Sequence, residues 1–200
     1  MIWSFIGAST LLTLAPGPDN LFVLVQSATR GSSYGLRIVI GLCIGILLHT
    51  SVVCLGIGSL IANSSIALHI MKYTGAGYLL YLAWMAGTST NGISLGKVEE
   101  SKRFPSAIWI GIVMNALNPK VLLFFMAFLP QFVDSQTTTY RLDLFILGMI
   151  FMLQAAIIMG GIALASASLK PIMLHPRFHQ VSQVVQITVF VGLALYIILP

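Results

Sequence analysis

Long stretches of this chain carry no Asp, Glu, Lys or Arg, among them the 34 residues from Ile38 to Met71, the 26 from Leu144 to Leu169, and the 23 that follow Arg177. Roughly 20 apolar residues in a helix cross the hydrocarbon core of a bilayer. In lipid the backbone must satisfy its own hydrogen bonds, and a helix does so within one segment. These runs therefore point to an all-α, multi-pass membrane protein. Its composition agrees, with 58% hydrophobic and 8% charged residues, where soluble domains carry ~25% charge. A single transmembrane domain over residues 1–200 is expected, with membrane lipids around it and no soluble module attached. Six spans fit, at about 2–27, 36–60, 66–88, 105–130, 142–168 and 179–199.

The net charge of +5 concerns orientation rather than nucleic acid, because the basic residues are scattered singly among short connections. The connections after spans one, three and five hold Arg30, Arg37, Lys97, Lys102, Arg103, Lys170 and Arg177, against Arg141 and Lys72 on the other side. That bias places the odd-numbered connections in the cytoplasm and both termini outside. Cys43 and Cys54 fall in one helix, ~16 Å apart at 1.5 Å per residue, too far to bond. No metal-ligand spacing occurs, so neither a metal nor a cofactor is expected.

The first span contradicts itself. Pro16-Gly17-Pro18-Asp19-Asn20 interrupts an apolar run at mid-length with two prolines, a glycine and a carboxylate. Proline removes a backbone donor and clashes with the preceding turn. Broken backbone at membrane depth is tolerated only inside protein or beside a wet cavity, and a carboxylate there marks a functional site. A kinked packing helix with Asp19 nearer an interface is the plainer alternative. The fourth span repeats the oddity at Asn118-Pro119-Lys120, 101 residues later. Gly77-Tyr78-Leu79-Leu80-Tyr81 is likewise echoed by Gly192-Leu193-Ala194-Leu195-Tyr196. Two three-span repeats are expected, about 1–90 and 105–200, joined by a loop over 89–104. Three is odd, so the second repeat enters the membrane inverted. Inverted repeats with discontinuous helices at corresponding positions point to a transporter's midplane site.

Asp19 and Lys120 are the charges at mid-membrane, opposite in sign and at equivalent repeat positions. They are expected to face each other, either as a permanent ion pair or as a pair that a zwitterionic substrate interrupts. Asn20, Asn115, Asn118 and Gln154 are polar at depth and suit freed carbonyls or substrate. Gly41, Gly45 and His49 form one stripe of the second span, where the glycines admit a neighbouring helix closely. His49 is either a packing residue or a proton carrier. An imidazole, ordinarily near ~6.5, exchanges a proton at working pH more readily than a carboxylate near ~3.9.

Pro16-Gly17-Pro18-Asp19-Asn20, Gly41-x-x-x-Gly45-x-x-x-His49, Lys72-Tyr73-Thr74-Gly75-Ala76-Gly77-Tyr78 and Asn118-Pro119-Lys120 running into Phe128-Leu129-Pro130-Gln131-Phe132 resemble the lysine exporter/homoserine-threonine resistance family of bacterial amino-acid exporters. The resemblance spans nearly the whole chain. It implies a small inner-membrane secondary transporter that expels amino acids or close derivatives, driven by the proton motive force. On this reading Asp19, Asn20, Asn118 and Lys120 bind substrate, Pro16, Gly17, Pro18 and Pro119 break the helices, and His49 is the proton-coupling candidate. No phosphate-cradling glycine loop followed by Lys and Ser/Thr is present, which disfavours ATP as the energy source. A passive channel or a membrane electron carrier on a similar scaffold remains the alternative, and a homo-oligomer stays open.

Overall fold

The computed structural model describes residues 2–57, 65–88, 106–134, 137–173 and 175–199. The described secondary structure is helical throughout. Helix α1 (Ile2–Leu14) stops before Pro16, and α2 (Pro18–Arg30) restarts with a proline in its first turn, where a missing donor costs nothing. Gly31, at φ 91°, turns the chain directly into α3 (Ser32–Val52). Only glycine adopts that angle without strain. The connection expected over about 28–35 is thereby reduced to one residue. A π-helical turn, Val53–Ile57, extends α3.

Helix α4 (Ser65–Thr88) matches the third expected span, while most of the turn before it and the 89–104 loop lie outside the described residues. The fourth span divides as the first does. Helix α5 (Ala107–Ala116) breaks at Leu117 and Asn118, and α6 (Pro119–Leu123) continues through π-helical Phe124–Phe128 and a 3-10 turn, Leu129–Phe132. Helices α7 (Tyr140–Leu164), α8 (Ser166–Met173) and α9 (Pro176–Ile198) complete the chain. Pro171, expected in a loop, lies inside α8. The carbonyl four residues back, which Pro171 cannot serve, belongs to Ala167, an exposed residue.

By length and composition, Ser32–Leu55, Tyr140–Leu164 and Gln180–Ile198 can each cross a bilayer. Ala107–Ala116 with Pro119–Phe132 does so as one span bent by 51°, whereas Ile2–Leu14 alone is shorter. Helix α3 packs against α5 and α7, α4 against α9, and α1 against α7. The α3–α5 crossing is close because glycines meet there. A Cβ built on Gly41 would strike the Ile108 carbonyl and come within 2.8 Å of Gly111 Cα. Backbone cannot yield as a side chain does. Gly41→Ala is therefore expected to cost ~1–3 kcal/mol and to lower the thermal melting midpoint of the detergent-solubilised protein. An unchanged midpoint would show that the two helices are free to separate.

Candidate functional site

Both breaks leave carbonyls without partners, and side chains take them up. Pro16 and Pro18 offer no N–H, and the chain bends away after Leu14, so the last turn of α1 ends in bare acceptors. Asn20 donates its side-chain amide to the Thr13 carbonyl at 2.8 Å, and Lys120 donates Nζ to the Ala15 carbonyl at 3.2 Å. A cation at a helix C-terminus also meets the negative end of the dipole. At the second break Pro119 cannot serve the Asn115 carbonyl. That oxygen accepts from the Asn118 N–H and from His49 Nε2, both at 3.0 Å. Because a carbonyl only accepts, His49 carries its proton on Nε2.

Asn118 locks the two breaks together. Its side-chain oxygen accepts from the Lys120 N–H at 3.0 Å, capping α6, while its amide nitrogen donates to Asp19 Oδ2 at 2.7 Å. Asp19 itself sits in the first turn of α2, the end that favours an anion. Asp19 and Lys120 attract each other across the site. The expected direct pairing is nevertheless replaced: the carboxylate binds Asn118, and the ammonium binds the Ala15 carbonyl and lies 5.5 Å from the centre of the Phe190 ring. The reason is geometric, since the carbonyl ends of α1 offer Lys120 a partner that only the break creates.

Asp19, Asn20, Asn118 and Lys120, the four residues singled out from sequence, line one cavity of about 40 Å³, together with Gly17, Pro18 and Asn115. Its apolar wall includes Leu42, Ile46, Phe151 and Met159. That volume of about 40 Å³ admits water but is far below the ~300 Å³ or more of a small-molecule site. Pro16 shapes the break from outside this lining. His49 stands one layer behind the wall, 5% exposed, with its ring 5.9 Å from that of Phe125. Gln154 does not serve a freed carbonyl. It ties α7 to α1 through Ser9, Thr10 and the Ile6 carbonyl. No group of three or more His, Cys, Asp or Glu gathers among the described residues to hold a metal.

Sequence reasoning missed Phe190, Phe151 and Met159. Their only signal was a phenylalanine or methionine in an apolar span, in a chain that has 11 Phe and 9 Met in all.

Comparison with known proteins gives a consistent picture. The family model described as LysE type translocator matches residues 10–200. A leucine efflux protein of Salmonella typhimurium is 30% identical over 146 residues, 72% of this chain and 69% of that protein. Uncharacterized membrane proteins of Pseudomonas aeruginosa and Vibrio cholerae are 30% and 27% identical over 82% and 84% of this chain, covering 81% and 82% of their own lengths. No solved structure matches.

Proposed function

This chain belongs to the LysE-type translocator family, a transporter rather than an enzyme, and on that premise we propose that it exports amino acids from the cytoplasm through the cavity between its two broken helices. The carrying observation is that one carboxylate, Asp19, and one ammonium, Lys120, line the same buried cavity from different breaks. A zwitterion matches both. Its ammonium meets Asp19 and its carboxylate meets Lys120, with Asn20 and Asn118 holding the half-helices in register. Apart from Thr13 and Asn115 the remaining wall is without polar side chains, and it holds no third charge for a charged side chain. Together with relatives named leucine efflux proteins, this favours neutral apolar amino acids such as leucine. At about 40 Å³ the cavity is too small for an amino acid, so the half-helices part to admit one. Cells loaded with a panel of dipeptides test the reading: leucine or a similar free amino acid is expected to leave faster with the protein present. Equal efflux of every amino acid with and without it would sink the proposal.

The architecture we infer is six spans in two inverted repeats in a bacterial inner membrane, with both termini outside. Two features support it: both breaks restart with proline in the first turn, and the equivalent spans pair, α3 with α7 and α4 with α9. Ser33 and Thr138 are exposed, and the inferred topology puts them on opposite sides of the membrane. In a background lacking Cys43 and Cys54, Thr138→Cys should react with an impermeant thiol reagent in intact cells, and Ser33→Cys only after permeabilisation. The reverse pattern would invert the topology.

For energy we infer the proton motive force, with His49 as the carrier. His49 holds the carbonyl next to the second break, so a change in its charge acts directly on the half-helix end that must move. His49→Gln is expected to leave downhill efflux largely intact while removing its acceleration by an inward proton gradient. Efflux from loaded vesicles with and without an imposed pH gradient measures this. A full response in the variant would make His49 a packing residue. No response in the unmodified protein would indicate a passive channel.

A further inference from the structure

Three side-chain amides line the cavity, and two are already committed. Asn20 serves the Thr13 carbonyl, and Asn118 serves both Asp19 and the Lys120 N–H. Asn115 is different. It is 3% exposed, yet its side-chain oxygen has no hydrogen-bond partner. The bonds from His49 and the Asn118 N–H go to its backbone oxygen and leave the side chain unused. A Cβ on Gly45 would lie 2.6 Å from Asn115 Cβ and 2.7 Å from Oδ1, so the carbonyl end of the amide is pressed against the α3 backbone. The amide nitrogen is then the end left for the cavity. Burying an amide without partners is costly, and a leucine of similar size would fill the space without that cost. Such a group in a native site calls for an explanation.

We propose that Asn115 is a substrate-binding residue, whose side-chain nitrogen donates to the carboxylate of the cargo beside the Lys120 ammonium. The assignment rests on the export reading above. It gives the carboxylate two donors, one charged and one neutral, and leaves the substrate ammonium to Asp19. The cavity therefore demands an ionised carboxylate as well as an ammonium, and amino-acid amides or esters are discriminated against.

Binding of leucine and of leucinamide to the purified protein, compared with Asn115→Leu and Asn115→Asp, tests this. Asn115→Leu is expected to melt at or above the temperature of the unmodified protein, since an unpaired polar group is removed. It should bind leucine roughly tenfold or more weakly, the scale of a hydrogen bond to a charged group, with its preference for leucine over leucinamide reduced, because the leucinamide carbonyl loses only a weaker, neutral bond to the same donor. Asn115→Asp, nearly the same shape, repels the carboxylate and should weaken leucine more than leucinamide. It carries the test alone if the leucine variant fails to fold. If the unmodified protein binds leucine and either variant keeps the original preference, the contact is refuted while export stands. If the unmodified protein binds and exports no amino acid, the export reading falls and this contact with it.

Discussion

Asp19→Asn is expected to abolish export while the protein still reaches the membrane. The substitution keeps the shape of the side chain and leaves an oxygen for the Asn118 amide, which now holds Asp19 at 2.7 Å. What disappears is the charge that meets the substrate ammonium. Lys120 keeps the Ala15 carbonyl and Phe190 but loses its counter-charge. Losing one partner of a buried charge pair between a site and its ligand costs ~2–5 kcal/mol, and each ~1.4 kcal/mol is tenfold in an equilibrium. Efflux at equal protein abundance should therefore fall at least about 30-fold. Wild-type efflux from the variant would remove Asp19 from the site.

Asn118→Asp is expected to be worse still, because it loses abundance as well as transport. One carboxylate oxygen would still cap the Lys120 N–H. The other would face Asp19 Oδ2 where a donor stood at 2.7 Å. Two unit charges at that separation repel by ~6 kcal/mol at an effective dielectric constant of ~20, comparable with the whole stability of a domain at ~5–15 kcal/mol. Asn118→Leu forfeits the cap and the cross-link but adds no repulsion, so it should be the more abundant of the two variants in quantified membrane fractions. Equal abundance would mean that the breaks are not held together through this amide.

Much of this organisation is legible in the sequence because membranes penalise exceptions so heavily. A proline pair and a charge inside an apolar run announce a break, and both breaks occur at Pro16–Pro18 and Pro119. The stripe Gly41, Gly45, His49 likewise meets the helix carrying Ile108, Gly111 and Asn115. What sequence cannot supply is the partner of each polar group. Lys120 and Asp19 look like a pair when only charges are counted. Breaking a helix, however, creates carbonyl acceptors that composition does not show, and the Ala15 carbonyl captures the ammonium. The apolar wall was illegible for a different reason: Phe151 and Met159 are chemically ordinary in a span, and only packing selects them from many like them. Asn115 was visible as a polar residue at depth, but its unused side chain emerges only once every neighbouring bond has been accounted for.

Asp19 and Lys120 are expected to serve the substrate and not merely the fold. Leucine efflux from proteoliposomes containing Asp19→Asn combined with Lys120→Met addresses it most directly. Removing both charges together leaves neither one buried alone, so the double variant should insert, fold and approach the abundance of the unmodified protein. The expected result is a folded protein that moves no leucine. Efflux restored towards the unmodified rate would contradict it and make the two charges structural.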